Sequence, residues 1–561
     1  MVIYRRIIQY YKRFSWKVNV VVLFVGVILL GLFRIIKAYA LRIQNGYIDN
    51  AGFLELNSRV SIPHPLDSHY FASARGGYLL TNTAYDQLCG IVTTPHKFPL
   101  SFFDIHPYFI SVLTSIPRQV FNLSPSMWAA TCLVASVMVG FVAIGWFIFQ
   151  QTNSVVATCV FLVVLLFFPV ITNSILGQAY FDRFLFGPAV VLILGVYKDR
   201  FVKPQRSLFL VIAIIFLALI SERGALLAGF VGSGYTLLLL RRGIFLKKNT
   251  IIIFGAGAFS FVYFLVWIKY WQAYSAYGNL SKSLISFRLH SLRQLPASDQ
   301  FLTLILVVSP LLLLLLFSGR FLIIGILSFA PNVLISVGGA ELNSFYTHYH
   351  QFYLPVLVAG SAIGFCNINT KIRSLNFQGF GAMLNVVFGM SAIAGSLLIW
   401  QNLSESNRID PFVESAQRVW LPSLSSYELF VGANVKKIAI VSEFIVGLNP
   451  KTVSTPEGFT PSLFEHGIRS VTYWPVGVGT ADVIIAPYVD AEPVAFPYGE
   501  YLPNGPIIST CVKAILERDY TLKGEFEAGF MQVKVFQLGS LIRPGNLGGS
   551  GIHRVSWSRI S

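Results

Sequence analysis

The sequence predicts an all-α polytopic membrane protein with a small α/β domain at its carboxyl end, and three observations predict it. Hydrophobic residues make up 55% of the 561 positions and charged residues only 12%, more apolar surface than a soluble core can use. Eleven apolar runs approach the roughly 20 residues that cross a bilayer. Lys and Arg give the chain a net charge of +17, yet they gather in short loops between the apolar runs. That distribution marks membrane topology rather than nucleic-acid binding.

The chain opens with a basic segment, 1–17, carrying Arg5, Arg6, Lys12, Arg13 and Lys17. The apolar run from Val18 is too long for a removed signal peptide and lacks a small-residue cleavage site, so it reads as a signal anchor. Spans follow at 18–40, 126–149, 154–171, 181–197, 207–220, 224–240, 250–268, 300–317, 321–337, 352–367 and 379–400. The stretch 102–116 stands apart. Asp104, His106 and Pro107 interrupt its start, and Pro117 with Arg118 closes it. If it crossed, the basic amino terminus and the basic loop Lys198 to Arg206 would face opposite sides, against the positive-inside rule. An interfacial helix over 102–122 is therefore expected. Every basic cluster then lies in the cytoplasm: 5–17, 198–206, Arg241 to Lys248, Arg320, and Lys371 with Arg373.

This count gives a membrane domain over 18–400 with the amino terminus inside. It places outside the loop 41–125, the loop 269–299 and the domain 401–561. No internal repeat is visible, which argues against a repeat-built transporter. The carboxyl-terminal domain alternates strand-like runs (Lys437 to Val441, Ala481 to Pro487, Met531 to Phe536) with Pro and Gly breaks, and a helix is expected near Ile507 to Arg518. It contains no nucleotide-binding loop and no catalytic triad motif. The five cysteines show no paired spacing, so neither a zinc site nor a disulfide framework is expected.

Ionisable groups at membrane depth are costly, which makes those near helix ends candidates for function. On the outer side these are Asp182 with Arg183, Glu222 with Arg223, and the run His348, Tyr349, His350. Ser221 to Gly224 is the whole connection between two apolar runs, and a tight turn needs no charges. It is either a water-facing polar turn or a charged pair lining a cavity. The first outer loop adds Asp67, Asp86, Asp104 and His106, among other acids and histidines, without a metal-ligand spacing. Aromatic residues from Tyr263 to Tyr277 read first as an interfacial belt.

The order of a long outer loop, the His-Pro element Asp104-Ile105-His106-Pro107 opening an amphipathic helix, paired helices, the acidic turn Ser221-Glu222-Arg223-Gly224 and a soluble tail resembles the GT-C superfamily of polyprenyl-phosphate-sugar glycosyltransferases. Over most of its length the chain is more similar still to an uncharacterised prokaryotic multi-pass membrane family with a GT-C-like fold. Tyr85-Asp86-Gln87 resembles that family's Phe-Asp-Gln, and His106-Pro107-Tyr108-Phe109 its His-Phe-Ser-Pro. Phe181-Asp182-Arg183 resembles its Phe-His-Pro, Ser221-Glu222-Arg223 its Lys-Glu-Asp, and His348-Tyr349 its His-Tyr before a Pro-containing helix. In the tail, Val453-Ser454-Thr455, Pro461, Arg469, Tyr473, Pro475 and Ala481-Asp482-Val483 resemble the family's outer domain. The chain departs from it at Thr81, Asp182 and Ser221, where the family carries Asp, His and Lys.

The resemblance implies a membrane enzyme of a prokaryotic cytoplasmic membrane that moves a sugar, with inversion, from a polyprenyl-phosphate donor to an acceptor outside. Asp86 would be the catalytic base, supported by Gln87, Asp67 and Asp104. Arg183, Arg223, Arg288, Arg293 and His348 would face the leaving phosphate, where an arginine fork matches its oxygens. A divalent metal ion is a candidate cofactor, and the bilayer, the lipid-linked donor and the acceptor are the expected partners. Two other readings remain open from residues alone. A transporter of lipid-linked saccharides would carry charges deep within several helices, whereas these sit near helix ends. A scaffold or receptor would work through its outer tail and tolerate loss of Asp86.

Overall fold

A computed structural model of the chain describes residues 108–167, 180–197, 204–235, 248–270, 311–335 and 351–374. It also describes 437–554, with breaks at 469, 490–491, 494–504, 529–530 and 540–552, together with Ile36, Lys37, Tyr39, Ala40 and Ile43. Most of the expected span 18–40, the whole of 379–400 and the first-loop residues 44–107 fall outside this set.

The helical part begins with α1 (Ile110–Val120), which lies within the expected interfacial segment and carries Pro117 inside it. It buries Ile110, Ser111 and Ser115 and exposes Leu113, Ile116 and Val120. A short link leads to α2 (Pro125–Thr152). This helix starts there because the Ser124 side chain accepts from the Met127 amide and Pro125 occupies the first helical position, where a missing N–H costs nothing. It ends at Asn153, whose left-handed backbone (φ 47°) closes the last turn. At 1.5 Å per residue its 28 residues span about 42 Å.

Next come α3 (Val155–Phe167), a 3-10 turn (Phe181–Leu185) and α4 (Phe186–Tyr197), so the expected span 181–197 opens with one tight turn before becoming α-helical. After α5 (Pro204–Ile220) and α6 (Glu222–Gly229) the chain widens into a π turn at Phe230–Tyr235. Then follow α7 (Lys248–Tyr270), a helical stretch at 311–316, α8 (Phe321–Ile335) and α9 (Leu354–Ser374). Helix α9 is the core of the bundle, with every residue from Leu354 to Cys366 buried. Two close backbone approaches set the packing. A side chain at Gly187 would run into the Ser136 carbonyl of α2, and one at Gly364 into the Leu314 carbonyl.

Among the described residues, Pro125–Thr152 and Thr250–Tyr270 are long and apolar enough to cross a membrane, and Val155–Leu165 and Leu208–Ile220 are shorter apolar helices. The outward faces are as apolar as the inward ones: Val142, Trp146, Leu208, Phe259 and Leu313 are all at least 59% exposed. Water does not favour such a surface.

The carboxyl-terminal part begins with a helix at 437–447. Lys437 to Val441 was expected as a strand, and the structure corrects this. Val441 and Ile445, four residues apart, are both fully buried, so the burial period is helical rather than alternating. Then follow β1 (Val453–Thr455), α10 (Thr460–Glu465), β2 (Val471–Tyr473), β3 (Val483–Val489), β4 (Glu492–Pro493), α11 (Gly505–Asp519), β5 (Tyr520–Ala528), β6 (Met531–Leu538) and β7 (His553–Arg554). The sheet runs β2-β1-β3-β6-β5-β7, with β4 beside β3. Strands β1, β2 and β3 are parallel, while β6 is antiparallel to both β3 and β5. Val453, Val483, Ile484, Ile485, Val533 and Val535 fill its interior.

Cys132, Cys159 and Cys366 are free, and Cys511 on α11 is disulfide-bonded. The lack of paired cysteine spacing, which gave no sign of a disulfide framework, gave no sign of this bond either.

Candidate functional site

Two short segments, forty residues apart in sequence, build the charged centre of the helical part. The first is the 3-10 turn Phe181–Leu185, entered from an extended Tyr180. Its five residues are all buried, and the Ser136 hydroxyl of α2 donates to the Phe184 carbonyl at 2.9 Å, pinning the turn to the neighbouring helix. The turn puts Asp182 at 1% and Arg183 at 2% exposure, two charged side chains inside an apolar bundle.

The second segment is the start of α6. The sequence reads Ser221 to Gly224 as a free turn, but only Ser221 lies outside the helices. It caps α6 by accepting from the Gly224 amide at 3.3 Å, and Glu222 occupies the first turn, where a carboxylate meets the positive end of the helix dipole. Residue 224 must be small. A side chain there would strike the Leu217 carbonyl and come within 2.7 Å of Leu185 Cδ2. Glycine lets the helix start approach the 3-10 turn closely enough for Arg223 Nη1 to donate to Asp182 Oδ2 at 2.7 Å. Asp182, Arg183 and Glu222 are buried, while the Arg223 side chain remains 21% exposed. Arg223 is thus the member of the group most accessible from outside.

Aromatic residues close the cluster. Tyr108, fully buried at the foot of α1, stacks on Phe181 with ring centroids 4.6 Å apart and meets Tyr180 edge-on at 5.4 Å. Burial holds the Tyr108 phenol well above its usual range, and the Asp182 carboxylate adds to the effect. From α7, the Ser260 hydroxyl donates to the Ala225 carbonyl at 3.0 Å. Tyr263, one turn further on, lies within electrostatic reach of Glu222, and its buried hydroxyl has no hydrogen-bond partner among the described residues.

An apolar groove of about 750 Å³ runs along α2. Ala135, Val142, Trp146 and Gln150 line it from α2, Leu194 from α4 and Phe209 from α5. Ala135 is next to Ser136, which holds the turn carrying Asp182 and Arg183. From there to Gln150 the groove follows about 22 Å of helix.

Of the residues singled out by sequence, the structure brings together Asp182, Arg183, Glu222 and Arg223. Asp67, Asp86, Gln87, Asp104, His106, Arg288, Arg293, His348, Tyr349 and His350 lie outside the described residues. Among the described residues no group of three or more His, Cys, Asp or Glu side chains is placed to hold a metal ion. The sequence weighs Tyr263 among the aromatics that stack on sugar faces or form an interfacial belt, and does not select Tyr108 or Tyr180. Tyr108 carries a usable signal in its place directly after His106-Pro107. No protein-family model, curated protein or solved structure matches the chain.

Proposed function

We propose that the chain is an integral membrane glycosyltransferase. It moves a sugar from a polyprenyl-phosphate donor to an acceptor hydroxyl on the outer face of a prokaryotic cytoplasmic membrane. The observation that carries this reading is a pair of arginines and a pair of carboxylates drawn together inside an apolar bundle, one helix of which also carries an apolar groove. A lipid phosphate asks for this combination: cations for its headgroup and a dry channel for its chain. The apolar outward faces of α2, α5 and α7 support the membrane setting.

In the reaction the acceptor oxygen bonds to the anomeric carbon as the bond from that carbon to the phosphate oxygen breaks. The electron pair leaves with the phosphate, and the acceptor proton passes to a carboxylate. Arg223 and Arg183 would stabilise the departing charge, with Asp182 holding the Arg223 guanidinium in position. Asp86 is the proposed base, by its place in the first outer loop and the resemblance of Tyr85-Asp86-Gln87. A divalent metal ion could share the phosphate with the arginines. The test compares lipid-linked and envelope glycans in cells with the wild-type chain, without it, and with Asp86→Asn. Loss of a general base costs about 10²- to 10⁴-fold in rate, so the Asn variant should accumulate unconsumed donor while still binding it. Undiminished transfer by Asp86→Asn would remove Asp86 from this role and bring forward Asp67 and Asp104. Identical glycans with and without the chain would reject the enzyme and favour a scaffold. Donor accumulating on the inner face alone would instead indicate a transporter.

A further inference from the structure

Among the described residues, Glu465 of the carboxyl-terminal domain reaches the helical part with well-defined partners. Glu465, the last residue of α10, accepts from the Ser126 amide through Oε1 at 2.7 Å and from the Ser124 hydroxyl through Oε2 at 3.0 Å. Both donors belong to the start of α2, more than 300 residues earlier in the chain. The first turn of a helix has amides without intrahelical partners and carries partial positive charge. Ser124 already serves the Met127 amide at 3.4 Å, and Glu465 takes the Ser126 amide. The helix therefore has two caps, one of them supplied by another domain.

That docking point is tied to the charged centre by α1. Trp128 Nε1, one turn into α2, donates to the Thr114 carbonyl in the middle of α1 at 2.6 Å. Arg118 Nε, near the end of α1, donates to the Leu123 carbonyl at 3.2 Å and holds the link that runs into Ser124. At its other end α1 is anchored by Tyr108 on the rings of Phe181 and Tyr180, beside Asp182. A continuous chain of contacts thus runs from Glu465 through the start of α2 and along α1 to the 3-10 turn that presents Asp182 to Arg223.

We infer that Glu465 is a positioning residue. By capping α2 it docks the carboxyl-terminal domain and holds α1, and with it Tyr108, against the Asp182–Arg223 pair. The inference rests on this geometry alone and holds whichever reaction the pair serves.

The test is hydrogen–deuterium exchange on the full chain in lipid nanodiscs, comparing wild type with Glu465→Ala, Glu465→Gln and Ser124→Ala. Ser124→Ala weakens the same contact without altering the carboxyl-terminal domain. In Glu465→Ala, peptides covering 108–128 and 180–186 should exchange about tenfold faster, the size of a lost helix cap, while those covering β3 and β6 stay protected. Ser124→Ala should loosen the same two regions, and Glu465→Gln, which keeps one acceptor oxygen, should fall between wild type and Glu465→Ala. A purely structural role would open β3 and β6 as well. Wild-type exchange at 108–120 and 180–186 in both Glu465→Ala and Ser124→Ala would overturn the inference. So would loosening of those regions only when the sheet also opens.

Discussion

The ion pair between Asp182 and Arg223 lends itself to a double-mutant cycle, because its two members sit in different surroundings. Two unit charges about 4 Å apart attract by about 4 kcal/mol at an effective dielectric near 20, and desolvation offsets part of that. The observable is therefore the asymmetry of the two single changes. Arg223→Met takes a cation away from a carboxylate that is 1% exposed, and water cannot replace it. Removing one partner of a buried pair in this way costs about 3–5 kcal/mol. Asp182→Asn leaves the arginine without its carboxylate, but Arg223 is 21% exposed and solvent can reach it. The Asn oxygen can also still accept from Nη1, so the cost should be nearer 1–3 kcal/mol, in the range of a hydrogen bond to a charged group. The double variant Asp182→Asn with Arg223→Met should be more stable than the sum of the two losses predicts, by about 1–3 kcal/mol. Equilibrium unfolding in mixed detergent micelles, followed by tryptophan fluorescence, measures all four proteins. The reasoning fails if the two single losses simply add, or if Asp182→Asn proves the costlier change.

Four further outcomes are expected. Cysteine labelling at Lys203, Lys247 and Lys371 should report the cytoplasmic side, and at Asn45, Ser286 and Gly458 the outside; opposite sides for residues 45 and 125 would mean that 102–116 crosses. Gly224→Ala should lower stability by at least the roughly 1–3 kcal/mol of an overpacked core, because its Cβ meets the Leu217 backbone rather than a movable side chain; wild-type unfolding would show that the helix start does not approach so closely. In the carboxyl-terminal domain, burial pushes Tyr520 from 10.0 to about 12, and Tyr488 likewise. A raised folded-state value means that the stability these phenols contribute is whole below about 10 and lost as pH rises through about 12. Near-ultraviolet dichroism should therefore collapse within that window, and phenolate absorbance fully developed while the dichroism is intact would contradict it. Finally, Cys511 should resist alkylation in unreduced protein and appear in a disulfide-linked peptide. An alkylated Cys511 would refute the bond.

Several parts of this molecule were legible in the residues themselves. Helix boundaries follow local chemistry: Ser124 and Pro125 start α2, and Asn153 ends it. The helix expected near Ile507 to Arg518 spans Gly505–Asp519 for the same reason, an amphipathic period over one short run. Where a run was too short to reveal its period, the reading went the wrong way, as at Lys437 to Val441. Charges near helix ends also drew attention to Asp182, Arg183, Glu222 and Arg223, since placing a charge next to apolar spans is costly wherever it occurs.

What the residues could not say was which charge meets which. Asp182 stands beside Arg183 in sequence, yet its 2.7 Å partner is Arg223, forty-one residues away. That choice depends on a glycine at 224 allowing one helix start to approach another turn, and on Ser136 pinning that turn to α2. The stacking of Tyr108 on Phe181 and the Glu465 cap on α2 belong to the same class. Each joins segments far apart in the chain, and sequence periodicity carries information only over a few turns of helix or one strand. Apolar content and local capping determined which segments become helices, while close packing between distant segments decided which polar groups those helices bring together.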